Sequence, residues 1–244
     1  MFSLCITTIN RFDNFLKKNI PKYLENDLIS EIIISDEAPS DDFKLLQQHF
    51  PDKSKLKLLK NETVLGPFLN KIRCCKEASN EWIVLIDSDN FADIDDYFKI
   101  AEKYITSSHN INEKTIISPF MASPNFDYKF LANIILTKNN IRNYYNNPMF
   151  NCFINTGNYI INKNLIDNVD FEKDMSLIEK SSACDVKLMN TLFLEQFENF
   201  NIHVVENMKY NHVVHDESVY LKNHMQTQYE IHRVNDRFYR CVFS

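Results

Sequence analysis

Short apolar runs alternate with helix-spaced apolar residues through the first half of the chain. Leu4-Cys5-Ile6-Thr7-Thr8-Ile9, Glu31-Ile32-Ile33-Ile34-Ser35 and Leu56-Lys57-Leu58-Leu59 predict strands. Trp82-Ile83-Val84-Leu85-Ile86 is a continuous apolar run, as a central parallel strand covered on both faces requires. Helical segments lie between them. Asp13 is placed to cap the first, which Pro21 limits or kinks. Ser40 is placed to cap the second, with Asp41 and Asp42 in its first turn and Phe43, Leu46 and Phe50 spaced by three and four. Gly66-Pro67 opens the third, which runs to about Ser79. Such alternation predicts right-handed crossovers and an open, mostly parallel sheet with flanking helices, an α/β fold. Ligands of such sheets sit at the carboxyl ends of the strands.

The second half is less regular. Thr115-Ile116-Ile117-Ser118 predicts a strand. Residues 124–151 are rich in Asn, Tyr and Phe and carry no clear period. Phe153 to Ile161 is apolar and interrupted by Gly157. A helix is expected over Asp185 to Phe197, a strand over Ile202 to Val214, and a mainly helical tail over Val219 to Phe243, a candidate dimerisation element. The pattern changes near residue 115 without a linker. The expectation is one domain, 1–244, of two parts, 1–115 and 116–244.

Composition narrows the function. The net charge of −6 disfavours general nucleic-acid binding, which needs a basic face. No run approaches the roughly 20 apolar residues of a membrane span. The N-terminus enters a strand without the pattern of a secretory signal. The six cysteines form no CxxC pair and read as reduced and mostly buried, which suits a cytoplasmic protein. The chain has two glycines, so GxGxxG and Walker-type phosphate loops are excluded.

Asp87-Ser88-Asp89 directly follows the central apolar run. Two carboxylates at the end of a buried strand are costly unless something charged binds there. Mg²⁺ and Mn²⁺ take carboxylate oxygens and keep positions open for substrate phosphates. The same residues would also serve as an acidic turn leaving the sheet.

Four motifs in order resemble the GT-A glycosyltransferases, in particular the broad family 2 type. They are Thr7-Thr8-Ile9-Asn10-Arg11, Ile32-Ile33-Ile34-Ser35-Asp36-Glu37, Gly66-Pro67 to Asn70-Lys71-Ile72-Arg73, and Asp87-Ser88-Asp89, covering roughly the first 110 residues. The resemblance implies that Thr8 and Asp36 contact the base, that Arg73 lies near the donor, and that Asp87 and Asp89 hold ribose and metal. Asn10, Arg11, Asn70 and Ser88 join the donor site as members of the motifs. Ser35-Asp36-Glu37-Ala38 stands where the family commonly has Asp-Asp-Gly-Ser, so Asp36 also reads as a strand-end turn residue. Arg73 also reads as a solvated helix residue, and Thr8 as a polar strand end.

Further down the chain, the family often sets a glycine-containing loop beside the donor sugar, where Gly157 stands; a plain turn is the other reading. The family's general base falls at Asp185, although Cys184 replaces the usual preceding acid, and an Asp there also caps a helix. A C-terminal histidine ligates the metal in several GT-A enzymes. His215 is the candidate, since Asp216 and Ser218 suggest a turn into the site, with His212 in reserve; either also reads as a surface or packing histidine. The implied reaction moves a sugar from a nucleoside-diphosphate donor, UDP-linked, to a glycan or other hydroxyl acceptor. It would be assisted by Mn²⁺ or Mg²⁺ and inverting if Asp185 is the base. A catalytically dead sugar-binding module on the same fold is the competing class. A sugar-nucleotidyltransferase ranks below both, because no glycine precedes Gly66 to form its N-terminal loop.

Overall fold

The computed structural model describes residues 1–51, 54–93, 96–171, 184–215 and 224–243, with side chains from 228 onward in the last stretch. The first half runs β1 (Phe2–Thr8), a π turn (Phe12–Leu16), α1 (Lys17–Leu24), β2 (Ile29–Asp36), α2 (Asp42–His49), β3 (Leu56–Lys60), α3 (Pro67–Lys76), β4 (Trp82–Asp87), β5 (Phe91–Ala92) and α4 (Tyr97–Ser107). The second half runs β6 (Thr115–Ser123), β7 (Phe126–Asp127), β8 (Ile135–Thr137), α5 (Pro148–Ile154), β9 (Ile160–Asn162), α6 (Lys163–Asn168), α7 (Asp185–Gln196), β10 (Asn201–Asn211) and α8 (His224–Phe243).

One sheet joins them in the order β3-β2-β1-β4-β9-β6-β10-β5. Strands β3, β2, β1 and β4 are mutually parallel; β9 runs antiparallel between β4 and β6, and β10 is parallel to β6. Ile83, Val84 and Leu85 of β4 are fully buried, each stabilising the core by about 1.5–3 kcal/mol. The register brings the strand ends together: Thr8 lies beside Asp36, Thr7 beside Asp87, and Asp36 beside Lys60. All the first-half motifs except that on α3 therefore converge on one edge.

Several sequence expectations are corrected. The first helix starts before Asp13, as a π turn preceded by Arg11, and Pro21 lies within α1. The third helix ends at Lys76. The β10 strand stops at Asn211, leaving His212 to His215 as a loop. Residues 124–151 fold into short pieces that pair with β6 and β10 or pack as α5, so long-range contacts set them where no period could. Phe153–Ile161 comprises the end of α5, a loop and β9. Asp216 and Ser218 lie outside the described residues.

Gly157 seats α7. A Cβ there would stand 2.5 Å from Val186 Cγ2, on the buried first turn of that helix. Valine has little rotamer freedom in a helix, so it cannot swing clear. Gly157→Ala should destabilise the protein by about 1–3 kcal/mol in urea unfolding. The Gly157→Ala/Val186→Ala double variant should be more stable than Gly157→Ala alone. A worse-than-additive double would show that the contact is not the cause.

His203 on β10 is fully buried, and its Nδ1 lies 2.9 Å from the Tyr104 hydroxyl of α4. Burial pulls its pKa down to about 4. The neutral ring is thus favoured by folding; its contribution is complete above the unfolded value near 6.5 and is lost as pH falls from there toward 4. Between pH 7 and pH 4 the wild type should lose about 3 kcal/mol more than His203→Gln. Parallel urea titrations would show it, and identical pH slopes would overturn it.

Candidate active site

Above the strand ends lies a cleft of about 1210 Å³. Thr8, Arg11, Asn70, Asp87, Ser88, Asp89, Gly157, Asp185, His212 and His215 all line it. A smaller hollow of about 410 Å³ holds Asn10 and Asp36, and the two share Glu37, Ala38 and Pro39. Arg73 lines neither. Its guanidinium bonds the Lys60 carbonyl and the Asn61 side chain at the end of β3.

The helix that carries Arg73 presents a different cation to the cleft. Phe68, Ile72 and Cys75 form the buried stripe of α3, and Lys71 falls within it. Lys71 Nζ stands 2.8 Å from Asp87 Oδ1 and 2.7 Å from Asp185 Oδ2. Burial works against its charge, but the two carboxylates, Asp185 the stronger, outweigh that and hold the ammonium above the usual lysine range. The end of β4 and the start of α7 are thus joined through one charge. Sequence reasoning missed Lys71. The helical spacing that buries Phe68 and Cys75 was the available signal.

Asp185 sits in the first turn of α7, but the amide of Lys187 bonds the side chain of Asn155 at 3.1 Å. Asn155 therefore takes the capping role open to Asp185. Asp185 Oδ1 has no hydrogen bond among the described residues.

Other side chains fix the strand-end loops. Asp42, at the start of α2, accepts from the Thr8 hydroxyl at 2.6 Å and from the backbone amides of Arg11 and Phe12 at 2.8 and 3.0 Å. The Thr8 hydroxyl is thereby engaged within the protein. Asn10 takes a left-handed backbone, φ 53°, and its amide bonds Ser40 Oγ. Ser40 Oγ also accepts the Asp42 amide. Asp36 Oδ2 accepts the Phe43 amide at 2.9 Å, while its buried Oδ1 has no partner among the described residues. Burial pushes the Asp36 carboxyl above the usual range. Asn70 bonds Asn61 and the Ser35 carbonyl. Asn158 accepts the Asp87 amide at 2.9 Å.

The loop after β10 is held by Asn90, whose side chain accepts the Val213 amide at 3.0 Å. This brings His215 Nε2 to 2.9 Å from Asp89 Oδ2, with the Phe15 ring against the imidazole. His212 turns elsewhere: its Nδ1 meets Asn125 at 2.8 Å and its ring packs on Phe126. Burial lowers its pKa. Among the described residues no group of three His, Cys, Asp or Glu side chains is arranged to hold a metal. The Asp89–His215 pair supplies one oxygen and one nitrogen.

Solved structures share this architecture. S. aureus TarS residues 1–349, in a crystal structure with UDP, superposes with a TM-score of 0.64 at 17% identity, covering 99% of this chain and 70% of that one. The same fragment with UDP-GlcNAc gives 0.66 at 16% identity, covering 97% and 66%. Full TarS gives 0.63 at 17% identity, covering 100% and 43%. At this identity the likeness establishes the GT-A fold. No curated protein sequence matches the chain, and no helix among the described residues is long and apolar enough to cross a membrane. The sequence model of the glycosyl transferase family 2 matches residues 3–163, two thirds of the chain. With the strand-end carboxylates and the cleft described above, that match settles the classification: the chain belongs to glycosyl transferase family 2, and it is a glycosyltransferase.

Proposed function

We propose that this enzyme transfers a sugar from a UDP-linked donor to a hydroxyl acceptor with inversion at the anomeric carbon, Asp185 acting as base. The observation that carries this reading is the Lys71 ion pair. It joins the carboxylate at the end of β4 and the carboxylate of α7 on one cleft, each 2.7–2.8 Å from the same ammonium. One oxygen of Asp185 is oriented by Lys71, which leaves Oδ1 to accept the acceptor's proton as the hydroxyl oxygen attacks. The new C–O bond forms as the bond to the diphosphate breaks, and a single displacement of this kind, assisted by a base, inverts the anomeric carbon. Asp36, which lines the smaller hollow, suits an N–H of the nucleotide base. The TarS complexes with UDP and UDP-GlcNAc support the choice of nucleotide.

Asp89 and His215 fit Mn²⁺ or Mg²⁺ by their donor chemistry: a carboxylate oxygen and an imidazole nitrogen side by side on the cleft wall, with the remaining positions left to phosphate and water oxygens. Such an ion, when bound, neutralises charge on the departing diphosphate.

Two measurements test the reading. Asp185→Asn keeps the size of the side chain and removes the proton acceptor. Single-turnover transfer should fall roughly 10²–10⁴-fold, with UDP affinity near that of the wild type. Full turnover in this variant would remove Asp185 from the mechanism. In calorimetric titrations of UDP with and without Mn²⁺, Asp89→Ala should lose the metal-dependent part of the affinity, and His215→Ala should weaken it more than His212→Ala. Unchanged metal dependence in Asp89→Ala would reject the metal assignment.

A further inference from the structure

A second buried lysine faces the same cleft under opposite circumstances. Lys187, two residues after Asp185 on α7, is 4% exposed and lines the cleft. Its Nζ donates to Asn151 Oδ1 at 3.2 Å and to Asn235 Oδ1 at 2.6 Å, and it stands 4.9 Å from the centre of the Phe238 ring. All three neighbours are neutral. No described carboxylate pairs with it, whereas Lys71 holds two. Burial accordingly pulls its pKa down to about 8, with the nearby Cys184 opposing weakly.

An ammonium held this way is costly, and methionine or leucine would fill the space without that cost. Two of its three N–H groups are taken by the asparagines. With their oxygens turned to Lys187, the Nδ2 groups of Asn151 and Asn235 remain as donors with no bond among the described residues. Three sets of donors without a negative partner therefore gather at one place on the cleft wall. This is the arrangement that recognises an anion.

We infer that Lys187, Asn151 and Asn235 form a subsite for an anionic oxygen group, a phosphate or a carboxylate, carried by the acceptor. This rests on the glycosyl-transfer reading above. The acceptor is indicated because the subsite is built by α5, α7 and α8. Asp36, Asp87, Asp89 and His215, assigned to the donor, come instead from the ends of β2 and β4 and the loop after β10.

The test compares glucose, glucose 6-phosphate and glucuronate by titration calorimetry in EDTA, so that no cation bridges the phosphate. The whole chain is used, as wild type, Lys187→Gln and Lys187→Arg. At least one charged sugar should bind about tenfold or more tighter than glucose, in keeping with a charge-assisted hydrogen bond. Lys187→Gln should abolish that preference and Lys187→Arg should keep most of it. A preference for glucose 6-phosphate identifies a phosphate, and one for glucuronate a carboxylate. Equal binding of charged and neutral sugars by the wild type overturns the proposal, as does an unchanged preference in Lys187→Gln. UDP with Mn²⁺ is titrated in parallel on the same protein preparations in buffer without EDTA. If UDP fails to bind while the lysine-dependent preference holds, the donor reading falls and the anion subsite stands.

Discussion

The architecture of the site hangs on one buried charge. Lys71 lies among apolar residues of α3, where an isolated ammonium would be untenable, and its place is secured by two carboxylates from elements far apart in sequence. Removing Lys71 would leave two carboxylates facing each other without a cation, and removing either carboxylate would free one end of the bridge. The ion pair therefore ties the end of β4 to the first turn of α7. The remaining devices serve that relation. Asn158 holds the backbone of Asp87, Asn155 caps α7, and Gly157 lets that helix come close enough for Asp185 to reach.

The cleft is divided by chemistry. Asp89 and His215 stand side by side where β4 and the loop after β10 meet. The smaller hollow has an unsatisfied carboxylate oxygen at Asp36. The wall from α5, α7 and α8 carries two charged side chains: Asp185, which is paired with Lys71, and Lys187, which lacks a carboxylate among the described residues. Each region thus has its own electrostatic character, although the chain as a whole is acidic.

Much of this was legible in the residues. The strands β1, β2 and β4 are built on short apolar runs that end in polar residues, and runs of that kind fix both the strand and its burial, so the positions of Asp36 and Asp87 at the strand ends followed. The four motifs carried the family resemblance, which the family model matches over residues 3–163. Side-chain direction was harder to read. Arg73 and Lys71 are two residues apart on one helix and therefore point to different sides, and only Lys71 shares the stripe of Phe68 and Cys75. Asp42 looked like an ordinary first-turn acid but reaches 31 residues back to the amide of Arg11. The turns and short strands of residues 124–151 exist through pairing with β6 and β10, which no local pattern records.

The scarcity of glycine has a reading of its own. Gly66 adopts φ 82°, ψ 162°, a backbone state that residues with side chains essentially never hold, and it begins the helix bearing Lys71. Gly157 lies against the helix bearing Asp185. A chain that uses asparagine, aspartate, serine and proline for its other turns has admitted glycine at two places only. Both are where a helix that contributes to the Lys71 ion pair begins. In such a composition, rarity works as an address: the glycines mark the two places where a helix is set against the candidate site.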